Sequence, residues 1–206
     1  KEDSGESLPV NPSKEAEEAA TNKQAQITSE KTIATLLDYN EVLTKKKTER
    51  EYIFEGRHKE GFNEHSNANH PSSITYLSDA INLNPENELA YLNRGDAYYN
   101  LKQYEKAIED YNKTIELDSE NVIAYGRRGD AYGRLKQYES AIMNYANAID
   151  LDPEYAPAYN NRANILFTTR QYEKAIEDYS KTIELDPEND TVYSNRGLAY
   201  SGLEQY

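Results

Sequence analysis

The chain repeats itself. Residues 85–118 read PENELAYLNRGDAYYNLKQYEKAIEDYNKTIELD, residues 119–152 read SENVIAYGRRGDAYGRLKQYESAIMNYANAIDLD, and residues 153–186 read PEYAPAYNNRANILFTTRQYEKAIEDYSKTIELD. A fourth copy starts at Pro187 and runs to Tyr206. A fixed period of 34 residues constrains the fold more than any other feature. A unit that short cannot bury its own apolar face, so each copy must cover the face of its neighbour.

Each copy carries two helical patterns separated by a polar turn. Tyr91, Gly95 and Tyr98 recur at spacings of four and three, and Ala107, Ile108, Tyr111 and Ile115 do likewise, so each set lies on one face of a 3.6-residue helix. Gly95, Gly129 and Gly197, with Ala163 in the third copy, mark where two helices approach closely, a packing role rather than a ligand contact.

This pattern resembles the tetratricopeptide repeat, written Trp-x2-Leu-Gly-x2-Tyr, then Ala-x3-Phe, then Pro. Tyr91, Gly95, Tyr98, Ala107 and Tyr111 occupy those places, and Pro153 and Pro187 close the second and third copies. Tyr stands for the Trp and the Phe, and Arg94, Arg128, Arg162 and Arg196 stand for the Leu. The resemblance implies an all-α fold, a right-handed solenoid of antiparallel helix pairs. The second helix of an upstream copy, SSITYLSDAINLN, continues the period, while its first helix matches only at Gly61 because Arg57 and Glu64 replace tyrosines. The expected organisation is therefore a leader at 1–12, capping helices at 13–50, a degenerate repeat at 51–84, repeats at 85–118, 119–152 and 153–186, and a first helix alone at 187–206.

The leader KEDSGESLPVNP is polar and broken by Pro9 and Pro12. Such a leader follows the lipid-bearing Cys in many bacterial lipoproteins, so a cell-envelope protein and a cytoplasmic fragment are both expected readings. A chain that begins with Lys1 is read as a processed protein or an excised piece. Ser13 is a fair N-cap for the next helix, and Ile33, Leu36, Leu37 and Leu43 give the following one a narrow stripe that would dock on the first repeat. Lys45, Lys46 and Lys47 read as its solvated end, and NANHP at 67–71 as a turn.

Chemistry is sparse. There is no Cys, hence no thiolate nucleophile or thiolate metal site, and no apolar run approaches the roughly 18 residues of a membrane span. His58, His65 and His70 sit near Glu55, Glu60 and Glu64, but 58 and 65 are two helical turns apart and read as surface residues. The Arg-Gly-Asp triplets at 94–96 and 128–130 fall mid-helix, where they cannot project as adhesive loop tips. No catalytic constellation or phosphate-cradling loop is present, so no enzyme activity and no cofactor or metal is expected. Residues 85–206 hold 13 Lys/Arg against 22 Asp/Glu, which disfavours nucleic acid and suits a neutral or basic protein segment.

In repeats of this family the first helices line a concave groove that takes a peptide or a partner helix. Carried over position by position, that face holds Leu92, Asn93, Asp96, Tyr99 and Asn100, then Gly126, Arg127, Asp130, Gly133 and Arg134. Asn160, Asn161, Asn164, Phe167 and Thr168 follow, then Ser194, Asn195, Leu198 and Ser201. The asparagines can donate to and accept from a peptide backbone, Asp96 and Asp130 suit a cation, Arg127 and Arg134 suit a carboxylate, and Phe167 has no evident packing reason to be there. Some members clamp acidic chaperone tails with Lys, Asn, Asn, Lys and Arg. Here Leu92 and Pro157 stand at the lysine places and Asp96 at the first Asn, so that clamp is absent. The expected function is a non-enzymatic interaction scaffold. Two alternatives are a non-catalytic arm of an enzyme lying beyond Tyr206, and self-association through the open fourth copy.

Overall fold

The computed structural model describes residues 70–204 together with residues 23, 41, 42, 44–46, 48–51 and 53. The chain forms two compact units, residues 1–48 and residues 49–206. The described positions between 41 and 53 are helical, so Lys45 and Lys46 stand within helical chain and not at its end. His58 and His65, the leader and most of the expected capping helices lie outside the described residues.

The second unit is a succession of helices: α1 (His70–Leu83), α2 (Glu88–Asn100), α3 (Tyr104–Leu117), α4 (Val122–Arg134), α5 (Tyr138–Leu151), α6 (Ala156–Thr168), α7 (Tyr172–Leu185) and α8 (Asp190–Glu204). No strand occurs among the described residues, and the architecture is an all-α solenoid of packed helix pairs. The turn expected at 67–71 gives way to helix at His70. Pro71 takes the second helical position, where its missing N–H has no intrahelical partner to lose.

Local chemistry sets the boundaries. Asn87 and Asn121 cap α2 and α4 by accepting from the amides of Ala90 and Ala124 at 3.0 and 2.9 Å. Glu49, itself buried, accepts from the side-chain amides of Asn84 and Asn87 and ties down the turn before α2. Each first helix ends the same way, with Lys102, Lys136 and Arg170 at φ near 60°. These are left-handed residues closing a tight turn, and their side chains are long and unbranched, so the strain is modest.

Neighbouring helices pack in chain order, and in addition α2 touches α4, α4 touches α6 and α6 touches α8. The second helices of successive pairs make no such contact. The stack therefore curves with α2, α4, α6 and α8 on its inner side.

Two contacts hold each pair. The Tyr111 ring lies over Gly95 so closely that a Cβ there would meet ring carbons at 2.6 and 2.9 Å, and Tyr145 covers Gly129 the same way at 2.8 and 3.0 Å. Tyr111, Tyr145 and Tyr179 are buried, each worth roughly 2–3 kcal/mol of apolar burial. Arginine at the family's Leu position supplies the second contact. Arg94 grips Asp110 through Nε and Nη2 at 2.8 and 2.7 Å, and Arg162 grips Asp178 at 2.7 and 2.8 Å. Each guanidinium also stacks near the Tyr three residues earlier, Tyr91 and Tyr159 respectively, and Arg94 reaches Ser78 on the preceding pair at 3.1 Å. The hydrogen bonds to Asp110 and Asp178 raise the pKa of Arg94 and Arg162, whereas Arg128, which faces neutral Asn144, is lowered by burial.

Gly129→Val is expected to lose about 1–3 kcal/mol of stability by driving Tyr145 from its seat, while Gly197→Val loses nothing, because no described atom lies within 4 Å of a Cβ at Gly197. Helical circular dichroism followed through urea unfolding measures both. Arg162→Leu alone is expected to lose about 2–3 kcal/mol by stranding Asp178, and Arg162→Leu with Asp178→Leu to recover most of it, a double-mutant cycle read by the same unfolding.

Candidate functional site

The inner surface is built from the position directly after each small residue. Asp96 follows Gly95, Asp130 follows Gly129 and Asn164 follows Ala163. Each accepts the hydroxyl of the ring that covers its neighbour: Tyr111 donates to Asp96 Oδ1 at 2.7 Å, Tyr145 to Asp130 Oδ1 at 2.8 Å, and Tyr179 to Asn164 Oδ1 at 2.7 Å. Tyr at the family's Phe position therefore brings a hydroxyl to the groove floor, and the residue there is chosen to accept it.

A second ladder crosses between copies in steps of 31 residues. Arg127 Nε stands 3.6 Å from Asp96 Oδ1, Asn161 Nδ2 donates to Asp130 Oδ1 at 2.9 Å, and Asn195 Nδ2 donates to Asn164 Oδ1 at 3.4 Å. Arg127 Nη1 also lies 4.0 Å from Asp130 Oδ2, so one guanidinium bridges two carboxylates. Burial raises Asp96 and Asp130 above the usual carboxylate range, against the opposing pull of Arg127 and the tyrosine hydroxyls. Burial works against the charge of Arg127, but Asp96 and Asp130 raise it on balance. The Tyr111 and Tyr145 hydroxyls are pushed up by burial and by the carboxylate each one faces, and Tyr179, which faces neutral Asn164, is pushed up to about 12 by burial. All three donate and do not ionise near neutral pH.

Tyr99, Arg127, Asp130 and Arg134 converge electrostatically: burial and then Asp130 raise Tyr99, while Arg134 and Arg127 oppose them. Arg134 is exposed, and its Nε donates to the Tyr104 hydroxyl at 3.2 Å. Beside this group, Gly126, Arg127, Asp130, Tyr145, Tyr155, Pro157, Ala158 and Asn161 line a hollow of about 60 Å³. That is room for a water or for the tip of a small side chain.

Two expectations need correction. Asn93, placed on the exposed face, is only 8% accessible, and its Nδ2 is a buried side-chain atom without a hydrogen-bond partner among the described residues. Leu92 beside it is also buried, in the core between α2 and its neighbours. Phe167 has a packing reason after all: it is half-buried against the cluster of Ala163, Leu166 and Tyr179 and meets Tyr172 edge-on, with ring centroids 5.6 Å apart. Asn160 is half-buried and donates to Asn161 at 3.2 Å.

The sequence reading missed Tyr104 and Tyr155. Tyr155 stands over Gly126, 3.3 Å from where a Cβ would be, and Tyr104 meets Tyr99 edge-on at 5.3 Å. The signal was available in Gly126, since the other copies carry Leu92, Asn160 and Ser194 at that place.

No group of three or more His, Asp or Glu that could hold a metal is found among the described residues. No helix of the described residues is long and apolar enough to cross a membrane.

Comparison with known proteins adds the following. A family model described as tetratricopeptide repeat matches residues 89–121 and 156–189, and a second, described as TPR repeat, matches residues 129–169. Among curated proteins the chain is similar to Hsp70-Hsp90 organizing protein 3 of Arabidopsis thaliana, 40% identical over 45 residues, which is 22% of this chain. The match spans only 8% of that protein's length. Among solved structures it is similar to the MamA protein, 28% identical with a TM-score of 0.68, covering 76% of this chain and 83% of that one. It is also similar to the first TPR of Spaghetti (RPAP3) bound to the HSP90 peptide SRMEEVD, 28% identical with a TM-score of 0.56, covering 57% of this chain and 93% of that one.

The raised carboxyls give a pH signature. Asp96 and Asp130 bind protons more readily folded than unfolded, where the value is near 3.9, so their contribution to stability is greatest below about pH 4 and is lost as pH rises through the folded values. Asparagine in both places removes that slope. The stability of the native chain relative to Asp96→Asn/Asp130→Asn is therefore expected to rise as pH is lowered from neutral toward 4, in paired urea titrations.

Proposed function

Since this chain is a member of the tetratricopeptide repeat family, we propose that it is a non-enzymatic interaction scaffold whose inner surface takes a peptide or a partner helix. One observation carries the reading: polar side chains from three successive inner helices, Asp96 and Tyr99, Arg127, Asp130 and Arg134, and Asn161, meet on one stretch of that surface beside a small hollow. A ligand laid across α2, α4 and α6 would meet all of them together. The peptide carried by the similar Spaghetti domain supports a peptide ligand on this kind of surface. With Leu92 and Pro157 at the clamp-lysine places, the ligand here is of a different kind.

Arg127 is half-exposed between its two carboxylates, so a carboxylate of the ligand would engage Arg127 and Arg134 while a cationic or amide group faces Asp130 and Asn161. Asn164, Asn195 and Phe167 extend the same surface along α6 and α8. The acidic balance of residues 85–206 favours ligands that are neutral or basic outside that contact.

Displayed peptide libraries selected on the chain of residues 1–206 test the placement. Selected binders are expected to lose tenfold or more in affinity against Arg127→Ala and against Asn161→Ala, and to keep it against Glu109→Ala and Met143→Ala on the outer helices. Binders that ignore the first two variants and fail with the outer ones would place the ligand elsewhere.

A further inference from the structure

Between α5, α6 and α7 lies a second and larger hollow, of about 230 Å³. Ile142 and Leu166 give it an apolar wall, and Arg162, Lys174, Glu177 and Asp178 line the rest. Lys174 and Glu177 are exposed, so the hollow opens to solvent. None of the six takes part in the ladder of Asp96, Arg127 and Asp130.

The first copy shows what the same framework holds elsewhere. There the centroid of the Tyr98 ring lies 6.0 Å from Arg94 Cζ and 5.3 Å from Lys106 Nζ, within reach of two cations. The third copy keeps both cations, as Arg162 and Lys174, and keeps Glu109 as Glu177, but carries Leu166 where the ring stood. The second copy does the reverse, with Tyr132 for the ring and Ser140 in place of the lysine. Two cations without their ring are thus a property of the third copy, and the hollow is found there.

Both cations have capacity unused. Arg94 and Arg196 donate from Nη1 to Ser78 and Ser180 of the preceding pair, and Arg128 donates to Asn112, but Ala146 stands at that place for Arg162. Among the described residues Arg162 bonds only through Nε and Nη2, both to Asp178. Ala146 lies one turn beyond Ile142, on the face of α5 that walls the hollow. Lys174, with no ring to lie over, reaches Gln171 at a long 3.3 Å.

An apolar cavity of about 150 Å³ holds benzene, so a hollow of about 230 Å³ has room for a two-ring system. Indole is the ring whose face best attracts a cation, and its N–H is a donor that the Glu177 carboxylate can accept.

We propose that this hollow is a docking site for a tryptophan side chain of a partner protein, its indole laid on Ile142 and Leu166 within reach of Arg162 and Lys174, its N–H donating to Glu177. The open, charged mouth takes the ring and leaves the backbone that carries it in water, as a side chain requires. Residues 1–206 contain no Trp, so another copy of them cannot supply the ring. The site stands whether or not the inner surface binds a peptide.

The absence of Trp from residues 1–206 also makes the test direct, because the emission of added N-acetyltryptophanamide reports its own burial. A saturable blue shift is expected, with a dissociation constant on the order of millimolar for a single side chain. N-acetylphenylalaninamide, lacking the N–H and the second ring, is expected to compete about tenfold less well. Leu166→Tyr, which rebuilds the arrangement of the first copy, is expected to keep its helical circular dichroism and to abolish the shift. Lys174→Gln, at an exposed position, is expected to weaken binding about threefold, and Arg127→Ala to leave it unchanged. No saturable shift, equal competition by the phenylalanine compound, or binding indifferent to both Leu166→Tyr and Lys174→Gln overturns the proposal. Loss of the shift with Arg127→Ala overturns it too, by placing the ring on the inner surface. Free indole that binds in a manner sensitive to Leu166→Tyr where N-acetyltryptophanamide does not bind overturns the assignment to a partner protein and gives the hollow to a small molecule.

Discussion

The structure depends on a ring seated on a residue with no side chain to spare. Tyr111 over Gly95 and Tyr145 over Gly129 set how closely the two helices of a pair approach, and the Cβ distances below 3 Å show that nothing larger than hydrogen fits without displacement. Ala163 shows the limit of tolerance: the third copy accepts a methyl under Tyr179, where the ring faces Asn164 instead of an aspartate. The same ring also fixes the chemistry of the groove floor. Once tyrosine replaces phenylalanine, its hydroxyl emerges beside the next residue of the inner helix, and that residue accepts its hydrogen bond. Packing on the outer side of the pair thereby selects a polar residue on the inner side.

The arginines extend this coupling from one pair to the next. A leucine at that position could offer apolar contact alone, whereas Arg94 stacks, pairs and reaches the preceding helix pair at once. A guanidinium can do all three because its planar fork supplies donors in two directions while its faces remain free for aromatic contact. The chain can therefore be very acidic and rich in tyrosine and still bury a continuous core, with its polar groups paired inside each repeat and between neighbours.

Much of this was legible in the sequence, and the parts that were not have a common cause. The period, the helix pairs and the small-residue seats followed from spacing, because spacing alone decides which residues share a helix face. Burial on the inner helices did not follow: Leu92, placed on the exposed face, packs with Ala107 and Ile108 of α3 and with Ala124 and Ala131 of α4, and Asn93 beside it is buried too. Phe167 looked unexplained only because Tyr172, its edge-on partner, belongs to the next helix, as Tyr104 does for Tyr99. The left-handed Lys102, Lys136 and Arg170 carry no glycine to announce them. Their conformation is imposed by the tight turn between helices of fixed separation. Each miss concerns a contact set by two elements at once, which no single helical pattern contains.

The pairing of the acidic residues changes what kind of partner the inner surface suggests. Counted as formal charges, Asp96 and Asp130 argue for a cationic ligand. In the structure each has an oxygen committed to a tyrosine hydroxyl, and Arg127 lies between them, so they are acceptors within the scaffold before they are anything to a ligand. The groups with donors left to offer are Arg127, Arg134 and the asparagine amides, all of which belong to the face that varies between copies. Because the ladder is local, with each rung joining a copy only to its neighbour, exchanging one rung, as Arg127 is exchanged for Asn161 and Asn195, alters the surface without disturbing the ring seats beneath it. A repeat protein built this way can alter its inner surface one rung at a time on a core that stays the same.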